Sequence, residues 1–275
     1  MSYEIFSKVD KTFVINLKKD TLRKQHVTKS FKSRKIDFEL IEAVEHDSQD
    51  VKSLYAQDKV YEFPPCYRCK LNKCSHENNF ITPKQVANFL SFKKIMKKIT
   101  DEKIAHAFIF EDDFYFKPFS RISFKQISSF VKNNQLLDSN EPLLLRIGSH
   151  TKVQKRYYFK LFIFNKITIV ENTTKDMANP CFLINLNFAK LFLKNFPDIY
   201  STSDAYIHSH IPVKYKIKNY SIYPFCIGQH SYGNKINKFP SSITSDQIES
   251  KNFSNINSIS EEQNYRELKK IWVKS

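Results

Sequence analysis

The chain has 275 residues, of which 41% are hydrophobic and 15% aromatic, so it can form a packed core and is not largely disordered. Only three glycines are present, which excludes a glycine-rich dinucleotide-binding loop and a P-loop. The net charge of +16 favours polyanionic partners, but the lysines are scattered, which is typical of a solvated surface without a nucleic-acid role.

The N-terminal residues contain no apolar signal segment, and no stretch reaches the ~18 apolar residues of a membrane span. The sequence therefore predicts a cytoplasmic chain, in the host cytoplasm if its source is a virus, whose membrane association would be peripheral. Five cysteines, three of them within nine residues, do not form the pattern of a secreted disulfide scaffold.

The first elements predict a strand, a helix and a second strand. Residues 12–17 are apolar and β-branched, residues 18–32 carry apolar side chains at near-helical spacing, and residues 38–44 read as a strand. Asp20 or Thr21 is expected to cap the helix. A βαβ unit of this length indicates a parallel pair of strands within an α/β fold.

A possible metal-binding loop follows, because residues 47–79 lose all periodicity and contain the spacing C-x2-C-x4-C-x-H. Its members are Cys66, Cys69, Cys74 and His76. Four such ligands suit a tetrahedral structural Zn²⁺, which would also staple a long loop. Four protein ligands leave no open position for catalysis, and reduced thiols without a metal are the alternative.

Three consecutive acids follow the next predicted strand. Thr82-Pro83 should start a helix with an apolar stripe, and the buried strand 107–110 comes after it. Glu111, Asp112 and Asp113 then stand at the end of that strand, where open α/β sheets bind ligands. Alternation would put Glu111 and Asp113 on one side, suiting Mg²⁺ or Mn²⁺ with a diphosphate, whereas a solvated acidic turn is the alternative.

The rest of the chain predicts further elements of an α/β fold. They are a helix at 123–133, a strand at 143–147, one or two strands at 157–170, a strand at 179–184, a helix at 188–196, a strand at 221–224 and a terminal helix at 260–273.

Several short sequence motifs, which we call landmarks, occur in a recognisable order between residues 12 and 245. They are Phe13-Val14-Ile15-Asn16-Leu17 with Arg23, Ile41-Glu42-Ala43-Val44, Ile81-Thr82-Pro83 with Ser91, Phe108-Ile109-Phe110-Glu111-Asp112-Asp113, Cys181-Phe182-Leu183-Ile184 with Ala189-Lys190-Leu191 and Asp204, and Tyr223-Pro224 with Gln229 and Ser242-Ile243. The ordered set resembles glycosyltransferase family 25, the lipooligosaccharide and collagen galactosyltransferases. Ala87-Asn88 and Phe92 depart from the Gly-Cys and His of the family helix, and the Cys/His loop at about 60–79 resembles an insertion.

The resemblance implies a fold of GT-A type, with one α/β domain over residues 1–245, a mixed but mostly parallel sheet flanked by helices, and a tail at 246–275. It implies a nucleotide-sugar donor and Mn²⁺ or Mg²⁺ bound by Asp113, while Glu111 would face the nucleotide ribose or share the metal, and Asp112 could do either. The donor contacts it implies are Asn16, Arg23, Ala43, Glu111, Asp112 and Arg146.

The expected reaction is transfer of a hexose, galactose or glucose, from a UDP-sugar to a hydroxyl of a glycan or protein acceptor. The family inverts the sugar carbon, which requires a base, and Asp204 is the candidate, with a helix cap as its alternative. His230 could be a further metal ligand, although a surface histidine is the simpler interpretation. The competing functions are a zinc-knuckle nucleic-acid-binding protein, a catalytically inactive relative and a metal-dependent nucleotidyltransferase.

Overall fold

The computed structural model describes residues 3–60, 81–149, 155–172, 178–194, 196, 198–230 and 239 of the chain. The four candidate zinc ligands, Cys66, Cys69, Cys74 and His76, lie outside the described residues, as does the predicted helix at 260–273, and both stay predictions. The described residues divide into two compact units. The first draws on 3–42, 93–194 and 204–239, and the second on 43–92 and 196–203.

The first unit is organised around two β-sheets. Its described strands are β1 (Lys11–Asn16), β2 (Glu39–Glu42), β3 (His106–Glu111), β4 (Phe114–Phe116), β5 (Leu144–Arg146), β6 (Thr168–Glu171), β7 (Cys181–Asn185), β8 (Asn219–Tyr223) and β9 (Ile227–Gln229). Seven of them form a sheet in the order β2-β1-β3-β7-β5-β8-β6, and β4 pairs with β9 in a small antiparallel sheet.

The large sheet is mixed, as predicted. β1 is parallel to β2 and β3, and β5 is parallel to β8, whereas β7 is antiparallel to β3 and β5, and β6 is antiparallel to β8. Parallel and antiparallel pairings are therefore equal in number, rather than mostly parallel as expected. Because of these directions, β1, β2, β3, β5 and β8 all end at one edge of the sheet, which we call the carboxyl edge.

The helices of the described residues are α1 (Thr21–Lys32), α2 (Gln49–Ala56), α3 (Pro83–Asp101), α4 (Ser120–Asn133), α5 (Lys155–Phe164), α6 (Leu186–Lys194), α7 (Ser203–Ala205) and α8 (Ile211–Tyr215), with a π-helical turn at Tyr206–His210 between the last two. Asp20 caps α1, because its carboxylate accepts a hydrogen bond from the Arg23 main-chain N–H at 3.0 Å. Within the described residues, none of the helices is both long and apolar enough to cross a membrane.

One hydrophobic core fills the space between the large sheet and two helices. Val14 of β1 and Phe110 of β3 belong to the same buried cluster as Phe31 of α1 and Phe124 of α4. Phe31 and Phe110 meet edge to face with ring centroids 5.2 Å apart, a favoured geometry for buried aromatic pairs. The core therefore fixes β1 and β3 side by side, and with them the two strand ends that follow Val14 and Phe110.

The second unit contains α2, the N-terminal part of α3 and an isolated parallel bridge between Val60 and Ile199. Thr82 and Gln85 form a capping box, in which each side chain accepts a hydrogen bond from the other residue's main-chain N–H, at 2.9 and 3.3 Å. The predicted helix start at Thr82-Pro83 is therefore confirmed. α2 corrects the expectation that residues 47–79 begin without regular structure.

The prediction for residues 157–170 is wrong over most of its length. They were expected to form one or two strands, but α5 occupies Lys155–Phe164 and the strand β6 is confined to Thr168–Glu171. Aromatic side chains favour strands in sequence patterns, and here the tertiary context overrides that preference. The remaining predicted strands and helices within the described residues occur, with ends that differ by a few residues.

Candidate functional site

The three consecutive acids lie at the carboxyl edge of the first unit. Glu111 is the last residue of β3, and Asp112 and Asp113 form the two-residue turn that leads into β4. Asp112 and Asp113 are 7% and 4% exposed, so the alternative of a solvated acidic turn is wrong. Carboxylates are rarely buried without a compensating partner, which makes their contacts informative.

Asp112 is held by two residues from the first strand and helix of the chain. The Asn16 side-chain amide donates to Oδ2 of Asp112 at 2.8 Å, and Nη1 of Arg23 donates to Oδ1 at 2.7 Å. Nε of Arg23 lies 3.1 Å from the carboxylate of Asp20, the residue that caps α1. We call Asn16, Arg23 and Asp112 the Asp112 triad. Each oxygen of the Asp112 carboxylate accepts a hydrogen bond from one of the other two residues.

Burial and charge oppose each other within the Asp112 triad. Burial raises the pKa of Asp112 above its ordinary value, whereas the charge of Arg23 and the hydrogen bonds from Arg23 and Asn16 act in the other direction. Burial acts to lower the pKa of Arg23, but the carboxylates of Asp112, Asp113 and Asp20 outweigh it and the pKa is raised. Arg23 therefore stays charged and faces a set of acids.

The end of β9 and the residue after it contact the other two acids, Glu111 and Asp113. The Gln229 side-chain amide donates to Oε2 of Glu111 at 2.7 Å, and the His230 main-chain N–H donates to the main-chain oxygen of Asp113 at 2.7 Å. Gln229 belongs to one of the family landmarks in the sequence, but its contact with Glu111 was not predicted. The 118 residues between Gln229 and Glu111 in the chain explain why no local pattern could pair them.

Histidine and aromatic rings cover the side of the turn next to β4. The His26 ring lies 5.0 Å from the His230 ring, and Tyr115 lies 4.9 Å from His230, measured between ring centroids. The Nε2 atom of His26 is 2.7 Å from the main-chain oxygen of Phe114. His230 is thus packed among rings and half-buried, not the surface histidine that was the simpler interpretation.

Arg146 lies at the carboxyl end of β5 and is 2% exposed, which excludes an ordinary surface arginine. It is close to His208 of the π-helical turn. Burial lowers the pKa of His208 well below its ordinary range, and the positive charge of Arg146 lowers it further. The His208 ring meets the Phe182 ring at 5.1 Å, edge to face.

Asp204, the candidate base, lies in the short helix α7. Its Oδ2 accepts a hydrogen bond from the main-chain N–H of Ala178 at 2.9 Å. Ala178 precedes β7 by three residues and has a positive φ of 73°, so the bond stabilises a strained turn near the carboxyl edge. Ala43 follows β2 directly and belongs to the second unit, and its role as a donor contact stays a prediction.

Metal binding by the acids at 111–113 stays a prediction, and the contacts of these acids differ. Both oxygens of Asp112 already accept hydrogen bonds, so the candidate ligands are Glu111 and Asp113, the two residues that sequence analysis assigned to the metal. In the described parts of the chain, three potential ligand atoms come within 4.8 Å of one another at Glu45, His46 and Asp47 rather than at the acidic turn, and these are successive residues of an exposed turn.

The sequence matches one family model over most of its length. The model is described as glycosyltransferase family 25 (LPS biosynthesis protein), and it matches residues 9–207. The matched segment contains the whole Asp112 triad, Glu111 and Asp113, together with Arg146 and Asp204. Gln229 and His230, which contact Glu111 and Asp113, lie beyond it.

Proposed function

The chain belongs to glycosyltransferase family 25, and we propose that it transfers a hexose, galactose or glucose, from a UDP-sugar to a hydroxyl group of a glycan or protein acceptor. The observation that carries the proposal is the buried acidic turn at the carboxyl edge, fixed by the Asp112 triad. Burying Asp112 and Asp113 next to Glu111 is unfavourable for stability, which is typical of a site kept for its chemistry.

We propose that Glu111 and Asp113 hold Mn²⁺ or Mg²⁺ together with the donor diphosphate. Carboxylate oxygens are the hard ligands that these cations prefer, and the two residues flank the one acid whose oxygens already have donors. A bound cation would neutralise charge on the diphosphate leaving group. Gln229 would orient Glu111, and the triad would fix the turn.

Transfer with inversion is a single displacement. The acceptor hydroxyl oxygen forms a bond to the anomeric carbon, the bond from that carbon to the diphosphate breaks, and UDP leaves with the bonding electrons. The acceptor proton passes to a base, for which a carboxylate is suited. We propose Asp204 for this role, because its position near the carboxyl edge is fixed by the bond from Ala178.

The donor site can be tested by calorimetric titration of UDP with and without Mn²⁺. The expected result is binding that depends on Mn²⁺ and is lost in Asp113→Ala. Asp37→Ala is the matched control, because Asp37 is an exposed acid of the same unit, and it should bind UDP as wild type does. If the wild type binds UDP equally well without any divalent cation, the metal role of Asp113 is refuted. If it binds no UDP, GDP, CMP or TDP, the chain is an inactive relative.

The base can be tested by separating donor binding from turnover. Asp204→Asn keeps a side-chain oxygen that can accept the bond from Ala178, so folding and UDP binding should persist. Release of UDP from the donor sugar should fall by about 10²-fold or more, as expected for loss of a general base. Turnover close to wild type in Asp204→Asn would restrict Asp204 to supporting the turn before β7.

A further inference from the structure

Helix α5 places large apolar side chains in solvent. Phe159, Phe162 and Ile163 are 57%, 66% and 62% exposed, whereas Leu161 of the same helix is buried. Residues three and four positions apart are neighbours on a helix surface, so these three side chains form one contiguous apolar patch. Soluble chains rarely expose such a patch unless a partner covers it.

Basic side chains flank the patch on the same helix. Lys155, Arg156 and Lys160 are exposed, and residues 155–166 contain four basic and no acidic residues. An apolar stripe with phenylalanine, bordered by Lys and Arg, is the pattern of a helix that lies in the interface of an anionic membrane. The surrounding chain has a net charge of +16, which favours the same surface.

The helix is firmly attached to the first unit. Leu161 is buried, Tyr157 stacks on Tyr223 at 4.9 Å between centroids, and the Ile167 main-chain N–H donates to the side chain of Gln126 in α4 at 2.9 Å. The exposed patch therefore belongs to a helix that is docked through its opposite side.

α5 also lies in the connection between two strand ends at the carboxyl edge. The chain enters this connection from the end of β5 and leaves it at the start of β6, where Thr168 pairs with Tyr223, the last residue of β8. The acidic turn follows β3 at the same edge. Because Tyr157 of α5 stacks on Tyr223, the last residue of β8, a surface bound to α5 would lie next to the carboxyl edge, where the proposed donor site is.

A second copy of the chain is a poorer partner for this patch than a lipid surface. In a symmetric dimer the same patch faces itself, so Lys155, Arg156 and Lys160 would meet the same cations of the other copy. Anionic headgroups instead attract these residues.

We propose that α5 is an interfacial docking helix that binds an anionic bilayer through Phe159, Phe162 and Ile163 and through the cations beside them. Docking holds the carboxyl edge next to the membrane, where acceptors carried by lipids would be within reach. Binding to the bilayer requires neither the donor nor the acidic turn, and only the access to acceptors rests on the proposed hexose transfer.

The test is co-sedimentation of the full chain with phosphatidylcholine vesicles, with and without phosphatidylglycerol. We expect binding to the vesicles that contain phosphatidylglycerol, weakened by salt. The triple variant Phe159→Ser/Phe162→Ser/Ile163→Ser should bind at least about tenfold more weakly, because its apolar side chains no longer enter the interface. All three positions are exposed, so the fold should be retained, as circular dichroism and UDP titration would check.

Two further variants complete the test. Lys160→Glu should weaken binding by at least about fivefold, the effect of one headgroup attraction. Leu22→Ser is the matched control, since Leu22 is 68% exposed on α1, and it should bind as wild type does. The proposal is overturned if wild type ignores anionic vesicles or if the triple variant binds them equally well. Dimerisation that depends on the patch, found by light scattering without vesicle binding, would assign it to a second copy.

Discussion

His208 should make the stability of the folded chain depend on pH. The side chain is 2% exposed, and its Nε2 atom has no hydrogen-bond partner among the described residues. Because burial and then the charge of Arg146 lower the pKa of His208, the imidazole stays neutral in the folded chain when it would be protonated in the unfolded one. Below a pH of about 6.5 the unfolded state therefore binds one more proton, and the free energy of unfolding falls as the pH falls.

The size of the effect follows from linkage. With an unfolded pKa of about 6.5 and a folded pKa well below it, the loss relative to high pH reaches at most about 1.4 kcal/mol at pH 5.5 and about 0.1 kcal/mol at pH 7.5. His208→Phe keeps an aromatic ring against Phe182 and removes the titrating group. The variant should carry a pH-independent packing penalty of about 1 kcal/mol and should gain up to about 1.3 kcal/mol on wild type between pH 7.5 and pH 5.5.

Urea unfolding of wild type and His208→Phe at both pH values measures this difference. Other histidines contribute equally to both proteins, so the comparison isolates His208. His46→Gln is the control, because His46 is exposed and keeps its solvent contact on unfolding. If His208→Phe and wild type differ by the same free energy at pH 5.5 and pH 7.5, the buried and neutral state of His208 is refuted.

Arg23→Ala should lower the free energy of unfolding by about 3 kcal/mol, because it leaves the Asp112 carboxylate buried with one of its two side-chain donors gone, whereas exposed Arg121→Ala should change it by less than about 0.5 kcal/mol. Urea unfolding measures both, and equal small losses would show that Arg23 does not compensate Asp112. Gly228→Ala should cost about 1–3 kcal/mol, because an added Cβ would lie 2.4 Å from the Tyr115 ring. Repeating Gly228→Ala in a Tyr115→Ala background should remove most of that loss, and a loss that persists there would point to backbone strain instead.

Local signals account for the elements that sequence analysis assigned correctly. The Thr82-Pro83 start of α3 and the Asp20 cap of α1 depend on residues three positions apart. α5 gave no such signal, because its apolar side chains lie on the solvent side as well as the buried side and therefore show no helical stripe. The antiparallel β7 between β3 and β5 is a long-range pairing that strand propensities do not encode.

For the acidic turn as well, the sequence predicts the position in the fold but not the contacts with distant residues. Its position at a strand end was predictable from the apolar run before Glu111. The alternation of side chains along a strand predicts that Asp112 faces away from Glu111 and Asp113, and Asp112 and Glu111 do make different contacts. The strand ends at Glu111, however, so alternation does not predict which residues contact the acids. Asp112 accepts a hydrogen bond from Arg23, and Glu111 accepts one from Gln229, and 89 and 118 residues separate the two pairs in the chain.

In the Asp112 triad, residues of two family landmarks that are far apart in sequence contact each other. The strand ending at Asn16, the arginine at 23 and the acidic turn each resemble a short family motif, and 89 and 96 residues separate Arg23 and Asn16 from Asp112. A buried carboxylate is stable only when hydrogen-bond donors or a cation compensate its charge. Loss of either Asn16 or Arg23 would therefore leave the Asp112 carboxylate buried without full compensation and destabilise the turn. The hydrogen bonds to both oxygens of Asp112 leave Glu111 and Asp113 as the ligands proposed for a cation. The first strand and helix of the chain therefore set the shape of the acidic turn, while Glu111 and Asp113 supply the chemistry proposed for it.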